Sequence, residues 1–511
     1  MWGWRSGRTA AILVAATIFV IVCVLPPLYM LSAIARSPAP MATLRGALLD
    51  SRQLSLLATT VLLGLMTAGL ATAIGAVLGL VLARTALPYK TALRIALVGP
   101  AVLPPYVIAL AWMSIAGGSA FSLPGAALVL TVVFYPLAML ATEVGLRRVD
   151  PRLEEAGLLV TTPTRVLRRI TGPLALPNVI SAALVIFVLA ISEFSVPGLL
   201  RVRVFTTEIF TAFAGLYDFS RATLLSLPLL IVSFVVAASA AIGFGTRIVT
   251  TRRPIHGVTP LRLDRWRMAA ITLVACAIVI LGAIPLVVLV SEAVQSEAIG
   301  AVLRNSSKAI TNSLAVAAVA ATAVTALGVA LGDVRAHARP RVATVLDMCW
   351  VVLFTVPSTV VGIGLIAIWN RSGAGGLYGT RTMLVLAAVA RFAPIGALAI
   401  AAALRSVPKS HGEAAAVAGA GWSWTMMRIV LPEIRIGLAA VWVTVFILAF
   451  GEVGASILVA PPGESTLPIR VYTLTANAPP GHVAALALFQ ALVVWCPLTL
   501  LGIATTRREP R

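Results

Sequence analysis

Few residues in this 511-residue chain have side chains able to bind or react, and those few are scattered through apolar sequence. Glu193 and Glu452 close two hydrophobic runs, and Arg391 interrupts a third, within Ala390-Arg391-Phe392-Ala393-Pro394. An ionisable group in such a run is costly and marks a substrate or ion path by default. For the glutamates two readings stand: lining of a central translocation pathway, or a place at the end of a span, solvated or bonded to neighbouring backbone. Arg391 pairs with an acid such as Glu452 or snorkels along its helix. Metal and phosphate chemistry have no visible seat. His256, His337, His411 and His482 lack close ligand spacing, and Cys23, Cys276, Cys349 and Cys496 each sit alone in an apolar run. Lys90, Lys308 and Lys409 each follow a residue other than glycine, so no GxxxxGK[ST] phosphate loop is present. The chain is expected to have no catalytic residue, no metal site and no bound cofactor.

The elements that carry these residues follow from composition. With 60% hydrophobic and 11% charged residues and a mean hydropathy of +1.01, the chain belongs in a bilayer. Runs long enough to cross as helix recur at 9–32, 55–83, 95–116, 125–146, 174–197, 223–246, 268–291, 311–332, 344–369, 382–404, 435–459 and 483–504. The fold class is therefore all-α integral membrane, with about 12 transmembrane helices. Arg5 and Arg8 precede the first run as in a secretory signal, but the run continues without a small-residue cleavage site and is expected to be retained. The net charge of +21 resides mostly in alternate loops, in residues such as Arg147, Arg148, Arg152, Arg165, Arg168, Arg169, Arg252, Arg253, Arg262 and Arg265. That asymmetry fits the positive-inside rule with both termini cytoplasmic, and attraction to anionic lipid rather than to nucleic acid.

The chain also repeats itself. Glu154 and Glu413, Arg169 and Arg428, Ile170 and Ile429, and Pro173 and Pro432 all lie 259 residues apart. The register continues from Leu189-Ala190-Ile191-Ser192-Glu193 to Leu448-Ala449-Phe450-Gly451-Glu452. An even number of spans per half makes these two parallel six-helix repeats. The division expected is an N-terminal span and outer loop at 1–54, a first transmembrane domain at 55–247, a linker and seventh span at 248–307, a second transmembrane domain at 308–504, and a cytoplasmic tail at 505–511. Pro254, Gly257 and Pro260 mark the linker.

The loop after the tenth run reads Glu413-Ala414-Ala415, then Gly419, then Ile429, Leu431 and Pro432. This E-A-A-x3-G-x9-I-x-L-P spacing resembles the signature of binding-protein-dependent ABC importer permeases of the type I fold. The resemblance implies that the loop forms a short helix docking into a groove of a separate ATPase subunit, one per half, with ATP and Mg on that partner. The alanines favour helix with little bulk, Gly419 permits a turn that other residues resist, and Glu413 suits a helix start or a partner's basic group. The first-half copy, Glu154-Glu155-Ala156 through Ile170 and Pro173, departs where Val160 replaces the glycine and Gly172 the leucine. Its joint is expected to dock less tightly, with Glu155 able to substitute in part for Glu154.

The stretches Gly451-Glu452-Val453-Gly454-Ala455, Pro461-Pro462-Gly463 and Ser192 through Pro197 resemble fused ferric-iron importer permeases and, more weakly, those for thiamine, aminophosphonates and polyamines. Cargo in such systems comes from an extracytoplasmic binding protein, expected to dock on the outer loops 198–222 and 460–482. A secondary transporter driven by an ion gradient also accommodates twelve spans and a repeat, but has no ATPase to dock. A membrane enzyme would concentrate polar catalytic groups, and none is apparent.

Overall fold

The computed structural model describes residues 2–35, 50–248, 266–296, 299–371 and 376–506, and among them there is helix and no strand. Among the described residues nine helices are long and apolar enough to cross a bilayer, or up to twelve when each of three bent pairs counts as one span. The basic linker with Pro254, Gly257 and Pro260 lies outside the described residues, as do His256, the outer loop at 36–49 and the tail from 507.

Helices α1 (Trp2–Phe19) and α2 (Leu25–Ala35) form the first span, joined by a wide turn at Val20–Val24. Then come α3 (Ser51–Arg84), α4 (Lys90–Val102), α5 (Pro105–Ala116) and α6 (Leu123–Arg147). The expected straight span at 95–116 is instead a pair bent by 90° between α4 and α5. Leu103 precedes Pro104, whose ring disfavours helix in the residue before it, and Leu103 is extended at ψ 141°. The loop helix α7 (Pro151–Val160) leads to α8 (Gly172–Ser192), a short α9 (Phe205–Phe210) and α10 (Phe219–Ile248).

The seventh span is α11 (Arg267–Ile278) with α12 (Ile284–Gln295), followed by α13 (Ser307–His337). Next stand α14 (Pro340–Thr355) and α15 (Ser358–Trp369), bent by 92° at Val356-Pro357 for the same reason as the earlier pair. The chain continues through α16 (Thr382–Leu404), the loop helix α17 (Lys409–Val417), α18 (Arg435–Phe450), α19 (Leu467–Leu474) and α20 (Pro480–Thr506).

Small residues set the closest packing, as expected where lipid supplies no hydrophobic drive between helices. On α3, a Cβ at Gly75 or Gly79 would stand 2.5 Å from the carbonyl oxygen of Tyr135 or Met139 on α6. Gly328 and Gly332 face α16 in the same way but less closely, a Cβ there standing 3.3 Å from the Gly396 carbonyl oxygen or 3.0 Å from the Ala401 nitrogen. The leading span of each half lies across the other half: α2 packs on α10 and on α15, and α12 packs on α20 and on α5. Gly364 of α15 is pressed against the Pro26 backbone, and Arg8 forms a 2.8 Å ion pair with the buried Asp333 of α13.

Candidate coupling face and translocation pathway

The two loops that resemble coupling elements are both built around short exposed helices, but by different chemistry. In the second, α17 turns Ala415 inward and leaves Glu413, Ala414 and Ala416 exposed, with Val417 at 91% exposure. The helix ends as the sequence requires. Gly419 takes φ +78°, its N–H donates to the Ala416 carbonyl at 3.1 Å, and the Ala420 N–H donates to the Ala415 carbonyl at 2.9 Å. This is a Schellman closure with glycine in the left-handed position. A Cβ there would meet nothing within 4 Å, so backbone conformation rather than space selects glycine. Ile429 and Leu431 are half-buried behind the helix, Pro432 is exposed, and His411 Nδ1 lies 2.9 Å from Glu433 Oε2, tying the helix start to the segment that follows.

In the first loop Glu154 does not face outward. Its carboxylate is buried and takes hydrogen bonds from Arg84 at 2.5 and 2.8 Å and from the Thr171 hydroxyl at 2.7 Å. Arg84, at the end of α3, also donates to the Leu146 carbonyl at 2.9 Å. The charge of Glu154 is thus spent inside the protein, whereas Glu155 and Ala156 are exposed. Val160 is the last residue of α7, followed by extended Thr161, and this loop has no left-handed turn. A glycine is needed here at a different place: a Cβ on Gly157 would lie 2.8 Å from Ile170 Cδ1, so its absence lets Ile170 pack on the helix. Pro173 is exposed. Arg84 and Thr171 carry no local signal, because Arg84 meets its partner from 70 residues away.

The structure brings Glu193, Glu452 and Arg391 together, each within electrostatic reach of the others. They meet on the seam between halves, where the breaks at Leu103-Pro104 and Val356-Pro357 each receive the end of a helix from the other half. The Ser192 hydroxyl points at the Thr355 carbonyl at 3.5 Å, and Gly451 abuts Pro104. Arg391 donates to the Val356 carbonyl freed by the second break. The glutamates bond forward along their own chain. Glu193 accepts from the backbone N–H of Ser195 at 2.9 Å and from its hydroxyl. Glu452 accepts from the Ala455 and Ser456 N–H groups at 2.8 and 2.9 Å and from the Ser456 hydroxyl at 2.7 Å. Each carboxylate therefore caps a short helix at the seam, which is the backbone-bonding reading. Beside them Tyr106 of α5 donates to Gln490 of α20, whose amide donates to the Phe450 carbonyl at 3.2 Å. Both are fully buried. The lone amide in an apolar run was the overlooked signal for this polar bridge between halves.

At the opposite ends of α3 and α13 from the loop helices, another matched device appears. Thr60 accepts the Phe205 N–H at 3.1 Å and Ser313 accepts the Leu467 N–H at 2.6 Å, so a hydroxyl on each long helix caps α9 or α19. Arg52 reaches Glu208 at 3.5 Å, and Lys308 reaches Glu464 at 3.0 Å. Glu464 also takes Arg381 at 2.7 Å and Asn312 at 2.9 Å. These donors, Arg381 first and Lys308 next, hold its carboxyl down at about 2.

Residues 324–511 match the family described as binding-protein-dependent transport system inner membrane component. The Fe(3+)-transport system permease protein FbpB 2 of Haemophilus influenzae is 23% identical over 465 residues, covering 88% of this chain and 90% of the relative. The putative ferric transport system permease protein FbpB 1 of the same organism is 24% identical over 416 residues, or 73% of this chain and 64% of that relative. The molybdenum transport system permease protein ModB of Mycobacterium tuberculosis is 28% identical over 211 residues, 39% of this chain and 79% of the relative.

Proposed function

We propose that the chain is an inner-membrane permease of a binding-protein-dependent ABC importer, the family whose model residues 324–511 match, and that it conducts ferric iron from an extracytoplasmic binding protein into the cytoplasm, driven by two ATPase subunits docked on its loop helices. The observation that carries the cargo is the end-to-end similarity to an Fe(3+)-transport permease, which spans nearly the whole of both chains. The similarity to a molybdenum permease covers 39% of this chain and stands as the alternative cargo, with aminophosphonates, thiamine and polyamines after it.

In this reading the halves are parallel repeats, and the loop helices α7 and α17 are the ATPase joints. Glu413, Ala414, Ala415, Gly419, Ile429, Leu431 and Pro432 form the second joint; Glu154, Glu155, Ala156, Ile170 and Pro173 form the first. ATP and Mg reside on the partner. The excess of basic residues on the loop-helix face supports cytoplasmic termini. The binding protein docks on the outer loops 198–222 and 460–482, and iron passes along the seam that holds Glu193, Glu452 and Arg391. The two carboxylates offer oxygen ligands to a hard cation, while Arg391 beside them keeps the seam from binding it tightly. Pulling on a loop helix moves α8 or α18 directly, and each of these ends at the break in the other half's bent pair.

The test is uptake by the reconstituted complex. Proteoliposomes with the chain, its ATPase and its binding protein should accumulate radiolabelled ferric iron only with ATP on the loop-helix side. Uptake of molybdate instead of iron transfers the cargo, and uptake driven by an ion gradient without ATP removes the importer reading.

A further inference from the structure

A cavity of about 670 Å³ opens beside α9, near the end of α3 remote from the loop helices. Its wall carries Arg52, Arg201, Arg203 and Arg221, one carboxylate, Glu208, and the Tyr472 ring from the second half. The charges do not cancel. Arg52 alone reaches Glu208, at 3.5 Å. The Arg201 guanidinium lies 5.6 Å from the centre of the Phe121 ring. Asp218, the other acid nearby, accepts the backbone N–H of Arg221 at 2.9 Å rather than its guanidinium. Among the described residues, Arg201, Arg203 and Arg221 make no ion pair.

The matching place in the second half is built the other way. There Glu464 takes both cations, Lys308 and Arg381, and an amide besides. One acid against two cations makes a latch; one acid against four guanidinium groups around a cavity leaves positive charge facing solvent. Guanidinium forks match carboxylate and phosphate oxygens in pairs. Arg201 is held at φ +56°, an unfavourable backbone for a side chain of this kind, and its place on the cavity wall is maintained at that cost.

We propose that this cavity is an anion site that takes a small multivalent oxyanion of the phosphate or polycarboxylate class, through Arg201, Arg203 and Arg221. The site stands on its own geometry and does not depend on which cargo the chain carries. The oxyanion reaches it either as a free anion or as a lipid headgroup, since the chemistry recognised is the same.

The experiment uses the full chain in nanodiscs of phosphatidylcholine, titrated calorimetrically with inorganic phosphate and with citrate at low ionic strength. Saturable binding of at least one of them is expected, with one site per chain. The double substitution Arg203→Gln with Arg221→Gln should weaken it about tenfold or more, Arg203→Lys should retain part of it, and Lys308→Gln in the opposite half should leave it unchanged. Equal melting temperatures establish that the variants are folded. A second set of nanodiscs contains phosphatidylglycerol: competition that disappears in the double variant identifies the headgroup as the occupant, and unaltered binding identifies the free anion. Absence of saturable binding by both probes, or binding that the double substitution leaves intact, overturns the proposal.

Discussion

The loop helices α7 and α17 occupy equivalent places after α6 and α16, yet one is anchored and the other is presented. Glu154 is buried against Arg84 and Thr171, so the first helix is fastened to the end of α3 by an ion pair. Glu413 is exposed, and the second helix is shaped by the left-handed turn at Gly419. A glutamate at the same point of a repeated motif is thus an internal tie in one half and a surface charge in the other. Sequence spacing preserves position without preserving what a side chain faces.

The largest effect expected from this contrast is on stability. Glu154→Lys places a second cation against buried Arg84, and removing one partner of a buried pair costs about 3–5 kcal/mol. Thermal unfolding in detergent should show a strongly lowered melting temperature for Glu154→Lys and for Arg84→Ala, and wild-type melting for Glu413→Lys. This reverses the sequence-based expectation that Glu155 substitutes for Glu154, because Glu155 is exposed and Arg84 is not. Equal melting of Glu154→Lys and Glu413→Lys would erase the distinction between the joints.

Next in size is Gly419→Val. The left-handed conformation costs a residue with a Cβ about 1–2 kcal/mol, and β-branching adds to that, so α17 should lose its closure while the span behind it remains inserted. Uptake should fall with ATP hydrolysis retained, and Val160→Gly should change little because α7 ends without such a turn. Should Gly419→Val transport normally, the second joint does not depend on this turn.

The helix ends remote from α7 and α17 sharpen the same contrast between halves. Glu464 ties the loop at 460–466 to α13 and α16, and its lowered carboxyl range sets the sign of the pH effect: the latch is complete above the ordinary glutamate range and is lost only as pH falls toward about 2. A spin label at Pro462 should be equally immobile at pH 7 and pH 5 and become mobile in Glu464→Gln at both. Mobility that rises between pH 7 and pH 5 in the wild type would contradict the latch.

The smallest effect is at the caps. Ser313→Ala and Thr60→Val each remove a hydroxyl that accepts the first N–H of α19 or α9, and should cost about 1 kcal/mol. Hydrogen exchange should quicken at Leu467 or Phe205 in the corresponding variant alone. Equal exchange in both would mean the caps are not independent.

The positions of the spans were legible because hydropathy over about 20 residues reports directly on the solvent. The bends at Leu103-Pro104 and Val356-Pro357 each carry a proline that disfavours helix in the residue before it, but Pro136 and Pro394 lie inside α6 and α16, and apolar character runs unbroken across both corners and masks them. Gly419 could be read in full, since the requirement is local to the backbone. Glu154 could not, because its partner Arg84 belongs to a different helix and the pairing depends on how α3 and α6 close on their glycines. Glu193, Glu452 and Arg391 could be named as exceptions to apolar sequence; that the carboxylates cap short helices depends on backbone beyond them which composition does not describe.

The most direct test of the account is ATP-dependent uptake by Gly419→Val and wild type in the same proteoliposomes, with the ATPase, the binding protein and radiolabelled ferric iron, at equal insertion. An importer whose second loop is the dominant joint shows wild-type uptake only with ATP, and a variant that hydrolyses ATP without accumulating iron. Iron uptake by the wild type without ATP, or undiminished ATP-driven uptake by the variant, would contradict it.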